Sequence, residues 1–257
     1  MKVTVCGAGA YGKALGKVLR VNKHKVTYYD PYVFPELGLA EALAEAEAVV
    51  IAVPAEVIDG LLVEYPLQAN RLPTLLATKG LLDLDRFAGF LNFGLLAGAA
   101  FADDLMSHRS VVLTATTPLA KQIIEGVQVK IEMTDDVEGV LYCGALKNIY
   151  AIGAGYSCDD AEEARFYAAQ ALKELKDYLV AHGAKAETAD LSCGWADLKI
   201  TCTERSRNFR CGRILREGGN LGDAKRSLGT LEGLVALRWV DWKGYPLISF
   251  VRELVRR

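Results

Sequence analysis

A single lysine interrupts the apolar stretch Gly144-Ala145-Leu146-Lys147-Asn148-Ile149-Tyr150-Ala151-Ile152-Gly153. Its neighbours recur at helical spacing, so Lys147 is expected on a buried helix, where loss of water penalises an ammonium unless a carboxylate supports it. A second apolar run supplies such a carboxylate, Asp197, and continues Leu198-Lys199-Ile200-Thr201-Cys202-Thr203-Glu204-Arg205-Ser206-Arg207-Asn208. Arginine offers a fork of donors matched to phosphate and asparagine adds a neutral donor. Arg207-Asn208 is therefore expected to hold a small anion, within a wall formed by Asp197, Thr201 and Ser206. The competing reading is a solvated helix face with unrelated charges, and the small apolar flanks argue against it. His24, His108 and His182 lie outside these segments and read as surface or loop residues, so a histidine-based mechanism has no candidate.

A different chemistry is written at the start of the chain. Gly7-Ala8-Gly9-Ala10-Tyr11-Gly12 follows Val3-Thr4-Val5-Cys6 and opens a helical pattern. In that context the first glycine makes a tight turn, the second lets backbone approach a pyrophosphate, and the third lets helix pack on strand. The helix N-terminus then faces the anion. The alternative is a purely structural glycine turn. Asp30 ends the next strand pattern, where a carboxylate accepts hydrogen bonds from both hydroxyls of an adenosine ribose. A 2′-phosphate would meet like charge there, so NAD is expected rather than NADP. Asp30-Pro31 also suits a turn, and the two roles are compatible. Val53-Pro54-Ala55 and Ala77-Thr78-Lys79-Gly80 close two later strands at the edge where open α/β sheets bind ligands, which makes Lys79 a candidate cation on the substrate side.

The scaffold for these groups can be read from the hydrophobic pattern. Short β-branched runs at 3–5, 26–29, 49–53, 74–77 and 111–114 alternate with helical patterns at 12–20, 36–45, 56–63 and 119–125. Alternation of this kind predicts a parallel sheet with helices on both faces. After about residue 133 the apolar positions keep helical spacing with almost no strand signal. The expected fold is α/β: a Rossmann-type dinucleotide-binding domain over 1–134, then an all-α substrate domain over 135–257.

Composition narrows the partners. A formal net charge of −2 gives no global basic field, so nucleic acid is not expected and anion recognition must be local. Arg205, Arg207, Arg210, Arg213, Arg216, Lys225 and Arg226 cluster against Glu217 and Asp223; most are expected as solvated helix-face charges, with one or two aimed at a phosphate. The six cysteines show no paired metal-ligand spacing and sit in apolar segments, so they read as buried thiols of a reducing compartment and no metal is expected. Met1 runs straight into the first strand pattern, which leaves no room for a signal peptide and predicts a cytoplasmic protein. The segment 87–102 is apolar but broken by Asn92 and glycines and shorter than the ~20 residues of a membrane span, so it reads as core strand and helix.

Taken together, Gly7-x-Gly9-x-x-Gly12, Thr78-Lys79-Gly80, Gly144-Ala145-Leu146-Lys147-Asn148, Asp197 through Thr201-Cys202-Thr203 to Ser206-Arg207-Asn208, and Glu232-Gly233 resemble, in order, the NAD-dependent glycerol-3-phosphate dehydrogenase family. The resemblance covers nearly the whole chain. It implies reduction of dihydroxyacetone phosphate to sn-glycerol 3-phosphate for lipid synthesis, with a homodimer as the assembly. It further implies Lys147 as acid/base, Lys79 as a second active-site lysine, and Asn148, Asp197 and Thr201 in the substrate pocket. Arg207 and Asn208 match phosphate and cofactor contacts, while Ala102 and Glu232 match residues that touch the dinucleotide. The chemistry agrees on independent grounds: hydride addition to a ketone builds negative charge on oxygen, which a protonated lysine both stabilises and neutralises. Residue types alone leave two alternatives, a reductase of ketopantoate or pyrroline-carboxylate type acting on a carboxylate, and a non-catalytic dinucleotide sensor.

Overall fold

A computed structural model describes residues 1–65, 71–78, 80 and 83–256. The chain divides into two compact units, Met1–Val137 and Glu138–Arg257. The first runs β1 (Lys2–Cys6), α1 (Ala10–Val21), β2 (Lys25–Tyr29), α2 (Leu39–Leu43), β3 (Ala48–Ile51), α3 (Ile58–Glu64), β4 (Thr74–Leu76), β5 (Phe93–Gly98), α4 (Ala102–Met106), β6 (Val111–Ala115), α5 (Pro118–Ile123) and β7 (Val129–Met133). Among the described residues these strands form one sheet in the order β2-β1-β3-β4-β5-β6-β7. β3 is buried at every position, which is why its sequence is a continuous apolar run rather than an alternating one. The chain passes from β1 outward to β2 and returns to β1's other side for β3, with Val5 opposite both Tyr28 and Val50. The loop after β1 therefore lies at the point where strand order reverses, the position at which such sheets take ligands.

The expected parallel arrangement fails at one junction. β5 runs antiparallel to β6, with Leu96 opposite Ala115, so the sheet is mixed. β7 is a strand absent from the expected set, and it pairs in parallel with β6. Its buried Val129 and Ile131 alternate with Lys130 and Glu132, a sheet-edge pattern that dilutes the apolar signal. The segment 87–102 does yield a strand, β5, and leads into α4. Asn22, just past α1, donates to the carbonyls of Ile123, Ile124 and Glu125 at 3.0–3.1 Å and so satisfies the open end of α5.

The second unit is helical: α6 (Val137–Ser157), α7 (Ala161–Ala181), α8 (Asp197–Thr201), α9 (Arg207–Arg216), α10 (Leu221–Leu228), α11 (Glu232–Ala236) and α12 (Pro246–Leu254). From Ala145 to Gly155, α6 is buried at every residue, as expected of a helix apolar all round. α9 lies against it with backbone in contact. A methyl group on Gly155 would overlap the Phe209 carbonyl oxygen, and one on Gly212 would overlap that of Ile152. Arg213 and Arg216 both donate to the Cys158 carbonyl at the end of α6, at 2.5 and 2.8 Å, and Arg216 also pairs with Asp159 at 2.5 Å. These two arginines are thus a helix cap and not the solvated charges expected of them. His182 is likewise no loose loop residue: it stacks on Tyr178 with ring centroids 3.9 Å apart.

Glu174 on α7 is buried and accepts hydrogen bonds from the main-chain N–H groups of Leu247 (2.7 Å) and Ile248 (3.0 Å) in the first turn of α12. Burial raises its pKa, against the pull of those two donors. Because the folded value lies above the unfolded one of ~4.3, this group's contribution to stability is complete below that pH and is lost as pH rises through the folded value. Wild type is therefore expected to gain stability relative to Glu174→Gln as pH falls from 7 towards 4, measured by urea denaturation across that range. A pH-independent difference would show that Glu174 titrates alike in both states.

Candidate active site

Between α7 and α8 the chain makes one π-helical turn, Ser192–Ala196, directly before Asp197. A methyl group on Gly194 would overlap the Ala189 carbonyl oxygen, so the turn closes against its predecessor only with glycine at this position. π turns widen a helix by one residue and re-aim the side chains beyond them. Asp197 is the first of these, and it accepts a hydrogen bond from the Lys147 ammonium across the α6–α8 contact. The two side chains are 6% and 4% exposed, so the charges satisfy one another away from water. The Thr201 hydroxyl lies 2.6 Å from the Asp197 carbonyl oxygen and 3.3 Å from its carboxylate, which makes it a support for Asp197.

A second cluster begins at the next residue of α6. Asn208 Nδ2 donates to Asn148 Oδ1 at 3.0 Å, and its Oδ1 accepts the Gly233 N–H at 3.0 Å. Glu232 lies 3.4 Å from the same Nδ2 and receives Arg207 Nη2 at 2.5 Å. Asn148 in turn donates to the Gly144 carbonyl at 3.1 Å. Ser206, expected in the substrate wall, is the buried N-cap of α9, with its hydroxyl 3.5 Å from the Phe209 N–H. The structure thus brings Lys147, Asp197 and Thr201 into one network and Asn148, Arg207, Asn208 and Glu232 into a second within the same unit, with Ser206 capping the helix that carries Arg207 and Asn208. The π turn, the Gly233 N–H contact and the arginine cap escape sequence reading; Gly194 is the sole signal for the first.

In the first unit, Gly7 adopts φ +104° and its backbone abuts Ala52, while a methyl group on Gly12 would overlap the Gly7 carbonyl oxygen. At Gly9 a methyl group would meet nothing within 4 Å, so the face of the loop at the start of α1 is open to an approaching ligand. Both oxygens of Asp30 accept main-chain donors, from Ala8 at 2.8 Å and Tyr32 at 3.0 Å. The carboxylate therefore ties the glycine loop to the turn after β2, and its remaining lone pairs stay available to ribose hydroxyls. Pro54 follows β3 and Ala102 begins α4 after β5, both at carboxyl ends of strands, and Tyr11 and Ala102 pack on the core of this unit. Ala10 is the first residue of α1. Lys79 lies outside the described residues.

All six cysteines are buried, and burial pushes the Cys6 thiol up to about 12 and that of Cys211 to about 11, so these are packing groups and not nucleophiles. Among the described residues no group of His, Cys, Asp or Glu side chains is arranged to hold a metal ion, and no helix is long and apolar enough to cross a membrane.

A sheet of this topology with an open glycine loop, followed by a helical unit, has the fold of a dinucleotide-dependent dehydrogenase. Residues 136–242 match the model of the NAD-dependent glycerol-3-phosphate dehydrogenase C-terminus. A glycerol-3-phosphate dehydrogenase [NAD(P)+] of Paracoccus denitrificans is 33% identical over 84% of this chain and 80% of its own length. The crystal structure of glycerol-3-phosphate dehydrogenase from Coxiella burnetii superposes with a TM-score of 0.83 at 23% identity, covering 99% of this chain and 94% of that one. A ketopantoate reductase from Staphylococcus aureus reaches only 0.51 at 13% identity over 100% and 99% of the two chains. The chain belongs to the NAD-dependent glycerol-3-phosphate dehydrogenase family.

Removing one partner of a buried ion pair strands the other. Asp197→Ala is therefore expected to lower stability by about 3–5 kcal/mol, read by urea denaturation at neutral pH. A loss below about 1 kcal/mol would show that Lys147 reaches water without its partner.

Proposed function

We propose that this chain catalyses the reversible, NAD(H)-dependent reduction of dihydroxyacetone phosphate to sn-glycerol 3-phosphate, supplying glycerolipid synthesis. The observation that carries this reading is the buried Lys147–Asp197 pair adjoining the Arg207–Asn208 network within one helical unit. The open face at Gly9 and the Asp30 carboxylate fit a dinucleotide. Gly7, Gly9, Ala10, Tyr11, Gly12, Asp30, Pro54, Lys79 and Ala102 are assigned to hold it, with Arg207 and Glu232 as further contacts. When bound, the nicotinamide supplies the hydride.

The chain's own residues supply the rest. Lys147 meets the charge that grows on the carbonyl oxygen and delivers a proton to it, an effect typically worth ~10²–10⁴-fold in rate. Asp197 keeps that ammonium charged and aimed, and Thr201 holds Asp197. Arg207 binds the phosphate, Asn148 and Asn208 order the same wall, and Lys79 is a second cation for the substrate. A cytoplasmic homodimer is the assembly and location this reading carries, supported by the resemblance and by six buried thiols. The weaker match to a ketopantoate reductase supports a shared scaffold and nothing further about substrate.

NADH oxidation measured with dihydroxyacetone phosphate, ketopantoate and pyrroline-carboxylate side by side tests the substrate class, and activity confined to the phosphorylated ketone is expected. Lys147→Ala should lower turnover about a hundredfold or more while NADH affinity stays near wild type; near-normal turnover removes Lys147 from catalysis. Asp30→Ala should weaken NADH binding and narrow the preference over NADPH, since one substitution removes the ribose acceptor and the repelling charge. An unchanged cofactor ratio would sink that assignment.

A further inference from the structure

We infer that Gly194 is a positioning residue, whose main chain, pressed on that of Ala189, fixes where Asp197 stands and so how Lys147 is aimed. This rests on the proposed roles of Lys147 and Asp197. Asp197 is tied to the π turn by its own backbone, for its N–H donates to the carbonyl oxygens of Ser192 and Gly194. On the other side the Thr201 hydroxyl meets the Asp197 carbonyl oxygen at 2.6 Å. The main chain of the aspartate is therefore held between the turn before it and the helix after it, and a side chain this short follows its main chain closely.

The π turn rests on a fixed support. A 3₁₀ turn, Ala186–Asp190, lies behind it, with Thr188 and Ala189 buried. Asp190 pairs with Lys176 on α7 at 2.7 Å, and Cys193 Sγ approaches the Thr188 carbonyl oxygen at 3.6 Å. A methyl group on Gly194 would overlap the Ala189 carbonyl oxygen and lie 2.6 Å from the Ala189 Cα. Carbon atoms in contact stand ~3.5 Å apart, so a side chain at 194 has to push the two backbones apart by about 1 Å. Ala189 is backed by protein, and no rotamer change relieves main chain against main chain, so the π turn is the part that moves. Because the Asp197 N–H is bonded to that turn, the displacement passes to the carboxylate facing Lys147. Misplacement of a reacting group by about 1 Å costs on the order of a hundredfold in rate. Neither Gly194 nor the 3₁₀ turn belongs to the network of Asn148 and Asn208, so binding of anion and dinucleotide is spared.

The test is a double-mutant cycle of Gly194→Ala and Asp197→Asn, followed by steady-state kinetics with dihydroxyacetone phosphate and NADH and by urea denaturation. Gly194→Ala alone should lower kcat about tenfold to a hundredfold, with KM for both substrates within about threefold. In the Asp197→Asn background the same substitution should lower the remaining rate less than about threefold, because the carboxylate it displaces is already gone. A role in packing alone would lower stability without that difference between backgrounds. Cys193→Val adds one methyl group to the same contact and is a milder push. It should lower kcat about threefold to tenfold with KM unchanged, and it decides the matter if Gly194→Ala does not fold. An unchanged kcat in a folded variant, an equal fall in both backgrounds, or a rise in KM that matches the fall in kcat would each overturn the inference. Failure of wild type to reduce dihydroxyacetone phosphate would overturn the proposed activity instead. The stability arm of the cycle would then decide the role of Gly194: its substitution should destabilise less in the Asp197→Asn background, and strict additivity would remove the link between the two residues.

Discussion

An ammonium and a carboxylate sealed away from water constrain everything around them. Each would carry a desolvation cost of several kcal/mol if left alone, and only close pairing with further hydrogen bonds offsets it. Lys147 and Asp197 meet this condition because α6 presents the lysine on a fully buried stretch and the π turn at 192–196 delivers the acid to it. Thr201, one helical turn beyond Asp197, commits its hydroxyl to the same residue. The pair is a weak argument for stability and a strong one for a use, since an apolar pair of similar size would pack at least as well.

The second network solves a different problem by similar means. Arg207 stands at a partly exposed helix start, where a charge is easily hydrated and easily mobile. Buried neutral amides, Asn148 and Asn208, are joined to each other and to the start of α11, so the ordering of the exposed cation is inherited from the core. The two networks start from consecutive residues of α6, Lys147 and Asn148, so one helix positions both.

Much of this was legible because its physics is local. Gly7, Gly9 and Gly12 carry a turn, an open face and a close approach that three spacings announce, and Lys147 is conspicuous because its neighbours are apolar. Asp30 was legible by position, whereas its double acceptance from Ala8 and Tyr32 needed coordinates. The features that escaped depend on contacts between distant segments. The antiparallel β5–β6 junction leaves no local trace, since strand direction is set by the connection and not by the strand. β7 was hidden by Lys130 and Glu132. Arg213 and Arg216 looked like surface charges because nothing near them in sequence reveals that the end of α6 lies within reach. Ser206 was legible as part of the motif, whereas its place as the N-cap of α9 needed coordinates.

The glycine contacts between α6 and α9 have a consequence for how this pair of helices tolerates change. Side chains that interdigitate can yield by switching rotamer, but main chain pressed on main chain has no such freedom. Sliding α9 by one residue would drive a bulky Cβ from Cys211 or Arg213 into the Ile152 carbonyl, so the register is all-or-none and intermediate alignments carry a steep penalty. The two helices therefore behave as one rigid plate. A side chain at Gly155 would meet the main chain of Phe209, which no substitution at Phe209 removes, so only a shift of α9 as a whole could admit one.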